Sequence, residues 1–205
     1  HRTGENREGG RYVLLEQAAR RYWPDCRVAA RWSAQDCMPM DGVPYLGVFA
    51  DSRPSWLVAT GFQKWGMSSS VIAAELLRDL ALGRTPPQDL SVFSPHRFHL
   101  SASAKQLAED TLQAVRGLSR QLWKPGRIPL EELPYGHGGI VEIDGEKFGV
   151  YRDKSGEIHA VTARCPHLGC QLEWNPDTLS WECPCHGSRF DLDGRLLDGP
   201  AQEDL

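Results

Sequence analysis

Six cysteines are unevenly placed along the chain. Cys26 and Cys37 stand apart in the first half, while Cys165, Cys170, Cys183 and Cys185 crowd into twenty-one residues of the second. A disulfide framework would scatter them more evenly, so the crowding points to a metal or redox site. The two runs concerned are Cys165-Pro-His-Leu-Gly-Cys170 and Cys183-Pro-Cys-His-Gly-Ser188. One is a Cys-x-His loop and the other a Cys-x-x-His loop. Together they supply two thiolates and two imidazoles, the number of ligands that one metal ion or cluster needs. A structural zinc ion is one chemistry that fits this inventory. Zinc modules, however, group Cys with Cys and His with His, and have no use for two further cysteines. A two-iron cluster has a reason for one Cys and one His on each loop, because each loop then straddles both irons.

Position by position, the two runs resemble the Rieske [2Fe–2S] family. The resemblance implies that Cys165 and Cys183 bind a buried iron and that His167 and His186 bind an outer, more exposed one. It also implies a disulfide between Cys170 and Cys185, as in respiratory-type members, pinning the loops where no extended core does so. Gly199-Pro200-Ala201 matches the proline-bearing third loop over the cluster, and Ser188 matches the serine whose hydroxyl bonds a cluster sulfur. One position departs from the pattern: Phe190 stands where the family commonly has Tyr. Neutral imidazoles in place of thiolates lower the negative charge that an added electron meets. Potentials rise to roughly −150 to +300 mV, against about −400 mV for plant-type clusters. The implied work is electron transfer.

The elements that must position these loops read as short strands and tight turns. IVEIDGEKFGVY is a hairpin pattern around Asp144-Gly145, and FDLDGRLL is another around Asp193-Gly194. Before them the sequence has a different character. Residues 12–23 read as a helix closed by Pro24, and residues 27–32 as a short strand. Val43 to Phe49 is extended after the Asp41-Gly42 turn, and Ser55 to Gly61 reads as a buried strand. Three serines, Ser68 to Ser70, supply an N-cap for a helix over 71–82, stopped by Gly83. Ala104, Leu107, Ala108, Leu112, Val115 and Leu122 put an apolar stripe on a second long helix, broken at Lys124-Pro125-Gly126. The domains expected are 1–95, a connector and linker helix over 96–125, and the cluster domain over 126–205. The fold class expected is α+β: a partial flavoprotein domain of strands and helices, then an all-β Rieske domain of small antiparallel sheets with a cluster-binding subdomain.

The flavoprotein expectation comes from a second resemblance. WSAQDCMPMDGVPYLG followed by WLVATGFQKWGMSSSVIAAELLRDLALG is similar to the C-terminal end of FAD-dependent oxidoreductases of the D-amino-acid oxidase and glycine oxidase group, over roughly 27–90. The resemblance implies that Gly61, Trp65, Gly66, Met67 and Ser68 are flavin-side residues, with the next helix aiming its positive end at the reduced flavin. The plain alternative is that the glycines only turn the chain and that Trp65 packs. Cys37 reads as a small buried hydrophobe, although sarcosine oxidase relatives carry a flavin-linked cysteine near this position.

No G-x-G-x-x-G follows a strand, so the part that grips the FAD pyrophosphate is expected upstream of this chain. The chain opens without Met, and its N-terminus reads as processed. The function expected is that of the redox module of a flavin-dependent amine- or amino-acid-type oxidoreductase, with FAD in the full-length parent. The alternative is a Rieske ferredoxin-type carrier whose first half only docks. An oxygenase would need a separate 2-His-1-carboxylate iron site, and no His follows the cluster loops. His96, His99, His137 and His159 have no matched partner spacing and read as surface or packing residues. Net charge is −4, which gives no reason to expect nucleic acid as a partner. No run of about eighteen apolar residues suggests a membrane span. The partners expected are the upstream FAD-binding portion and a redox protein or quinone, in a cytoplasmic or membrane-peripheral setting.

Overall fold

Asp144 and Gly145 both adopt left-handed backbone, with φ of 52° and 82°. This is the geometry that a two-residue hairpin turn needs to match strand twist. They join β3 (His137–Ile143) to β4 (Glu146–Arg152), and β5 (Ile158–Thr162) completes an antiparallel sheet in the order β3-β4-β5. Among the described residues the other strands are β1 (Tyr45–Ala50), β2 (Arg53–Thr60), β6 (Glu173–Asn175), β7 (Ser180–Glu182), β8 (Arg189–Phe190) and β9 (Leu196–Asp198), and the α-helices of known bounds are α1 (Arg11–Tyr22) and α2 (Gly66–Ala81). The computed structural model describes residues 2–97 and 128–205. Between them it describes Ser103, Ala104, Leu107, Ala108, Thr111, Leu112, Val115 and Ser119, all helical. The rest of the expected second long helix, Leu122 and the Lys124-Pro125-Gly126 break included, lies outside the described residues, as does His99. No helix among the described residues is long and apolar enough to cross a membrane.

The chain divides into two compact units, His1–Ser33 with Asp110–Leu205, and Ala34–Glu109. This grouping differs from the expected 1–95, 96–125 and 126–205, because the N-terminal segment is hydrogen-bonded to residues far along the chain. Asn6, 3% exposed, donates through Nδ2 to Asn175 Oδ1 at 2.9 Å, and the N–H groups of Gly10 and Arg11 donate to the Asp177 carboxylate at 2.8 and 2.7 Å. Asp177 thus satisfies free donors at the start of α1, whose N-cap residue has no side chain to do so.

In the unit holding the C-terminal residues, two sheets approach closely. The second has the order β6-β7-β8-β9. Trp174 on β6 and Trp181 on β7 are register partners with ring centroids 4.8 Å apart, and Tyr151 of β4 stacks on Trp174 at 4.9 Å. Gly138 and Gly149 make this possible. A Cβ on Gly138 would lie 2.5 Å from Trp174, and one on Gly149 would lie 3.0 Å from the Trp181 ring. The resulting core joins Tyr151, Leu172, Trp174, Trp181 and Phe190 to Cys165 and Cys183. The hairpin expected at Asp193-Gly194 forms as β8 and β9, with a register shift between Arg189 and Phe190.

The other unit packs α2 and the β1-β2 hairpin around Leu46, Ala73 and Leu76. Its tie is a buried ion pair: Arg97 donates from Nε to Asp41 Oδ2 at 2.7 Å and from Nη2 to Asp41 Oδ1 at 2.9 Å. Arg97 also lies 3.9 Å over the Tyr45 ring and donates to the Pro44 and Val43 carbonyls. The Arg97 guanidinium holds the Asp41 carboxyl down at about 2.

Three expectations need correction here. Residues 27–32 form no strand. β2 is mostly exposed rather than buried, since β1 and β2 make a two-stranded sheet and α2 covers little of it. Helix α2 begins at Gly66, so the serines lie inside it and not at its cap. Ser68 and Ser70 donate back to the carbonyls of Trp65 and Met67, the way hydroxyls are accommodated within a helix.

Candidate metal centre

The two cysteine runs fold as matching loops. In the first, Cys165 N–H donates to Cys170 O at 2.9 Å and Gly169 N–H donates to Cys165 O at 2.9 Å. In the second, Cys183 N–H donates to Ser188 O at 2.8 Å and Gly187 N–H donates to Cys183 O at 3.0 Å. Gly169 and Gly187, at φ of 77° and 90°, supply the left-handed residue that each closure requires. The first loop hangs from the Arg164–Gln171 bridge, and the second joins β7 to β8.

Sulfur and nitrogen are segregated in this arrangement. Cys165 and Cys183 are each 1% exposed, whereas His167 and His186 are exposed, with ring centroids 4.9 Å apart and edge to face. Cys170 and Cys185 form a disulfide with Cα atoms 6.6 Å apart. Their bonding removes both from the pool of ligands, leaving two thiols and two imidazoles. The disulfide is close to that pool, since the sulfurs of Cys170, Cys183 and Cys185 lie within 4.8 Å of one another.

The paired thiols shift each other in opposite directions. A hydrogen bond from the Cys183 thiol pulls Cys165 down to about 6, helped by the His167 amide and the Ser188 hydroxyl against the opposing effect of burial. Cys183 is pushed up by the same bond, by burial and by the charge on Cys165. Two buried sulfurs that cannot both ionise unaided are the donor chemistry of a cation-binding site. The four-residue set therefore fits a cluster with sulfur on the inner iron and nitrogen on the outer.

Ser188 and the third loop close over this place. Ser188 is fully buried, and the Ala201 N–H donates to its Oγ at 3.0 Å, leaving the hydroxyl proton to point elsewhere. Pro200 is exposed, beside buried Ala201, and follows Gly199 through a cis peptide bond. Phe190 is fully buried in the same core as Cys165 and Cys183.

The flavin-side candidates lie in the other unit, each described there by itself. Gly61 is buried, with φ of 77°, and a Cβ there would stand 2.5 Å from Pro39. Gly66 begins α2, Trp65 and Met67 are 69% and 93% exposed, and Ser68 is exposed. Cys37, expected to be a buried hydrophobe, is free and exposed. The other described histidines each have a hydrogen-bond partner. His96 meets Val48 O at 3.2 Å, His137 meets Tyr135 O at 3.0 Å, and His159 meets Asp193 at 2.7 Å. What the sequence reading missed is the set of polar residues behind the second loop, Glu182, Arg189 and Asp198. Arg189 donates to Asp198 at 2.8 Å and lies 3.4 Å from Glu182. The only signal for them was charge at strand positions flanking the ligands.

Comparison with known proteins places the C-terminal part of the chain in a family. The family pattern described as the Rieske [2Fe-2S] domain matches residues 128–205. The chain is 36% identical over 206 residues to YhfW of Bacillus subtilis (strain 168), named as a candidate Rieske 2Fe-2S iron-sulfur protein; the match covers 100% of this chain and 40% of that one. It is also 36% identical over 72 residues to the cytochrome b6-f complex iron-sulfur subunit of Chlorobaculum tepidum, covering 35% of this chain and 39% of that subunit. The chain thus spans about two fifths of the length of these relatives. The crystal structure of the cyanobacterial plasma membrane Rieske protein PetC3 from Synechocystis PCC 6803 aligns with 36% identity and a TM-score of 0.31, over 33% of this chain and 70% of that one. Residues 128–205 of this chain are a Rieske [2Fe–2S] domain.

Proposed function

We propose that this chain is the redox module of a larger flavin-dependent amine- or amino-acid-type oxidoreductase, in which electrons pass from a flavin to a Rieske cluster. In this reading Cys165 and Cys183 hold the inner iron, and His167 and His186 hold the outer. The observation that carries it is the segregation of two buried thiols from two exposed imidazoles. The bound cluster supplies a one-electron site at a potential above that of all-thiolate clusters. The chain's own residues keep water from the sulfur side, through Phe190 and the third loop, and leave the imidazole side open to a partner. That partner is a redox protein or a quinone. The name of the cytochrome b6-f relatives, as subunits of a complex, favours a protein.

The flavin half of the proposal draws on the run from Gly61 to Ser68 and on the length of YhfW beyond this chain. The run ends in the N-terminus of a 16-residue helix, where a dipole favours negative charge. Trp65 and Met67, so largely exposed, are available to be covered by a ligand or by further chain. The same exposure also suits a second reading, a Rieske ferredoxin-type carrier whose first half is a docking domain. The deciding experiment is absorbance and EPR spectroscopy of the purified full-length protein. The expected result is a rhombic cluster signal after dithionite reduction, together with stoichiometric FAD released on denaturation. A cluster signal without flavin would leave the carrier reading, and no cluster signal would overturn both.

A further inference from the structure

The segment 2–11 meets the second cluster loop at Gly4 and then runs along β6 and the turn after it. The Gly4 N–H donates to Glu182 Oε2 at 2.8 Å, and Glu182, 3% exposed, directly precedes Cys183. The other Glu182 oxygen accepts from Asn175 Nδ2 at 2.7 Å and lies 3.4 Å from Arg189 Nε. Arg189 follows Ser188 and donates to Asp198, which precedes the Gly199-Pro200 turn of the third loop. Gly4 therefore bonds to a group that is linked onward to both loops.

Gly4 also touches the second loop itself. Its φ is 79°, and a Cβ there would stand 2.9 Å from Pro184 Cβ and 3.0 Å from Pro184 Cα and N. Pro184 sits between Cys183 and the disulfide-bonded Cys185. Only a residue without a side chain can approach that backbone so closely. The remainder of the arm is anchored independently, by Asn6 to Asn175 and Asp177, by an Arg7–Glu173 ion pair at 2.9 Å, and by the Gly10 and Arg11 amides to Asp177.

We propose that this N-terminal arm is a positioning strap for the second cluster loop, with Gly4 as its contact residue. Seated against Pro184, it fixes the height of the Cys183–His186 turn, and through Glu182 it supplies one of the donors that a buried carboxylate beside a ligand requires. Loosening it changes the field and geometry at the cluster, so it acts on the potential as well as on stability. The proposal rests on the reading of Cys183 and His186 as ligands.

The test compares Gly4→Ala with Gly145→Ala in the full-length, cluster-loaded protein. Both glycines have left-handed backbone, at φ of 79° and 82°, but a Cβ on Gly145, in the β3–β4 turn outside the arm, meets nothing within 4 Å. The two variants therefore share the backbone penalty and differ in the contact with Pro184. In Gly4→Ala the midpoint potential and the EPR g-values shift, and the cluster is lost on warming about tenfold faster. In Gly145→Ala the potential and g-values stay at those of the wild type. Wild-type values in Gly4→Ala overturn the strap, and so do equal shifts in both variants. Should Gly4→Ala fail to fold, Asn6→Ala loosens the arm without a clash and is expected to shift the same quantities; an unchanged potential there overturns the strap equally. A wild-type protein with no [2Fe–2S] spectrum would instead overturn the ligand reading beneath it.

Discussion

The Ala201 N–H donates to Ser188 Oγ at 3.0 Å, and both residues are buried. One hydroxyl thus accepts from the third loop while keeping its own proton for the sulfur side, where it acts on Cys165. Ser188→Ala removes both roles. The reduced cluster loses a donor that favours its added negative charge, so the potential falls by several tens of millivolts. The orphaned Ala201 N–H costs about 1–3 kcal/mol of stability as well. Protein-film voltammetry and thermal melts of the loaded variant check the two effects separately.

Phe190→Tyr is expected to act in the opposite direction. Phe190 is fully buried beside Trp181, its register partner, in the core that contains Cys165 and Cys183. A phenolic O–H there adds a donor toward a cluster sulfur and raises the potential by some tens of millivolts. An unchanged or lowered potential would show that the ring does not face the cluster.

Replacing Cys170 and Cys185 together by Ser opens a loop closed across a sequence separation of 15 residues. Loop-closure entropy predicts a stability loss of about 3 kcal/mol. The ligand set is untouched, so the cluster still binds but is lost sooner under denaturant. Thiol counting on the native wild-type protein should find Cys170 and Cys185 unreactive; free thiols at both would contradict the bond.

Asp41→Asn tests the ion pair in the other unit. It leaves the buried Arg97 guanidinium without its carboxylate and costs roughly 3 kcal/mol or more. The acid limb should change too. The folded Asp41 carboxyl is held at about 2, below its ordinary 3.8. Its stabilisation is therefore complete above the unfolded value and is lost as pH falls from there through the folded one. Wild-type protein should show this loss, followed through Trp56 and Trp65 fluorescence, and the Asn variant should lack that component.

What was legible in the sequence was local chemistry. Asp144-Gly145 could be read because a two-residue turn demands left-handed backbone, which Asp and Gly tolerate. The two Cys-His loops stand out because four cysteines and two histidines crowd there, and the structure folds both runs as matching loops. The disulfide came from resemblance, and the structure forms it. The start of α2 is not legible, because serine serves caps and also fits within a helix by bonding back to a carbonyl. The apolar letters of β2 suggest burial, but such letters do not reveal whether a second layer exists to cover them. The seating of Gly4 and Asn6 on Glu182 and Asn175 left no local signal at all, since the partners lie 178 and 169 residues away.

That separation bears on the order in which the protein is made. The arm carrying Gly4 is synthesised long before its seat. At roughly 5–20 residues per second, on the order of ten to thirty seconds pass before Glu182 follows it out of the ribosome. Residues 34–109, which belong to the other compact unit, are made in that interval. The arm can be seated only once Glu182 and Pro184 have emerged, so its docking follows the synthesis of everything between them.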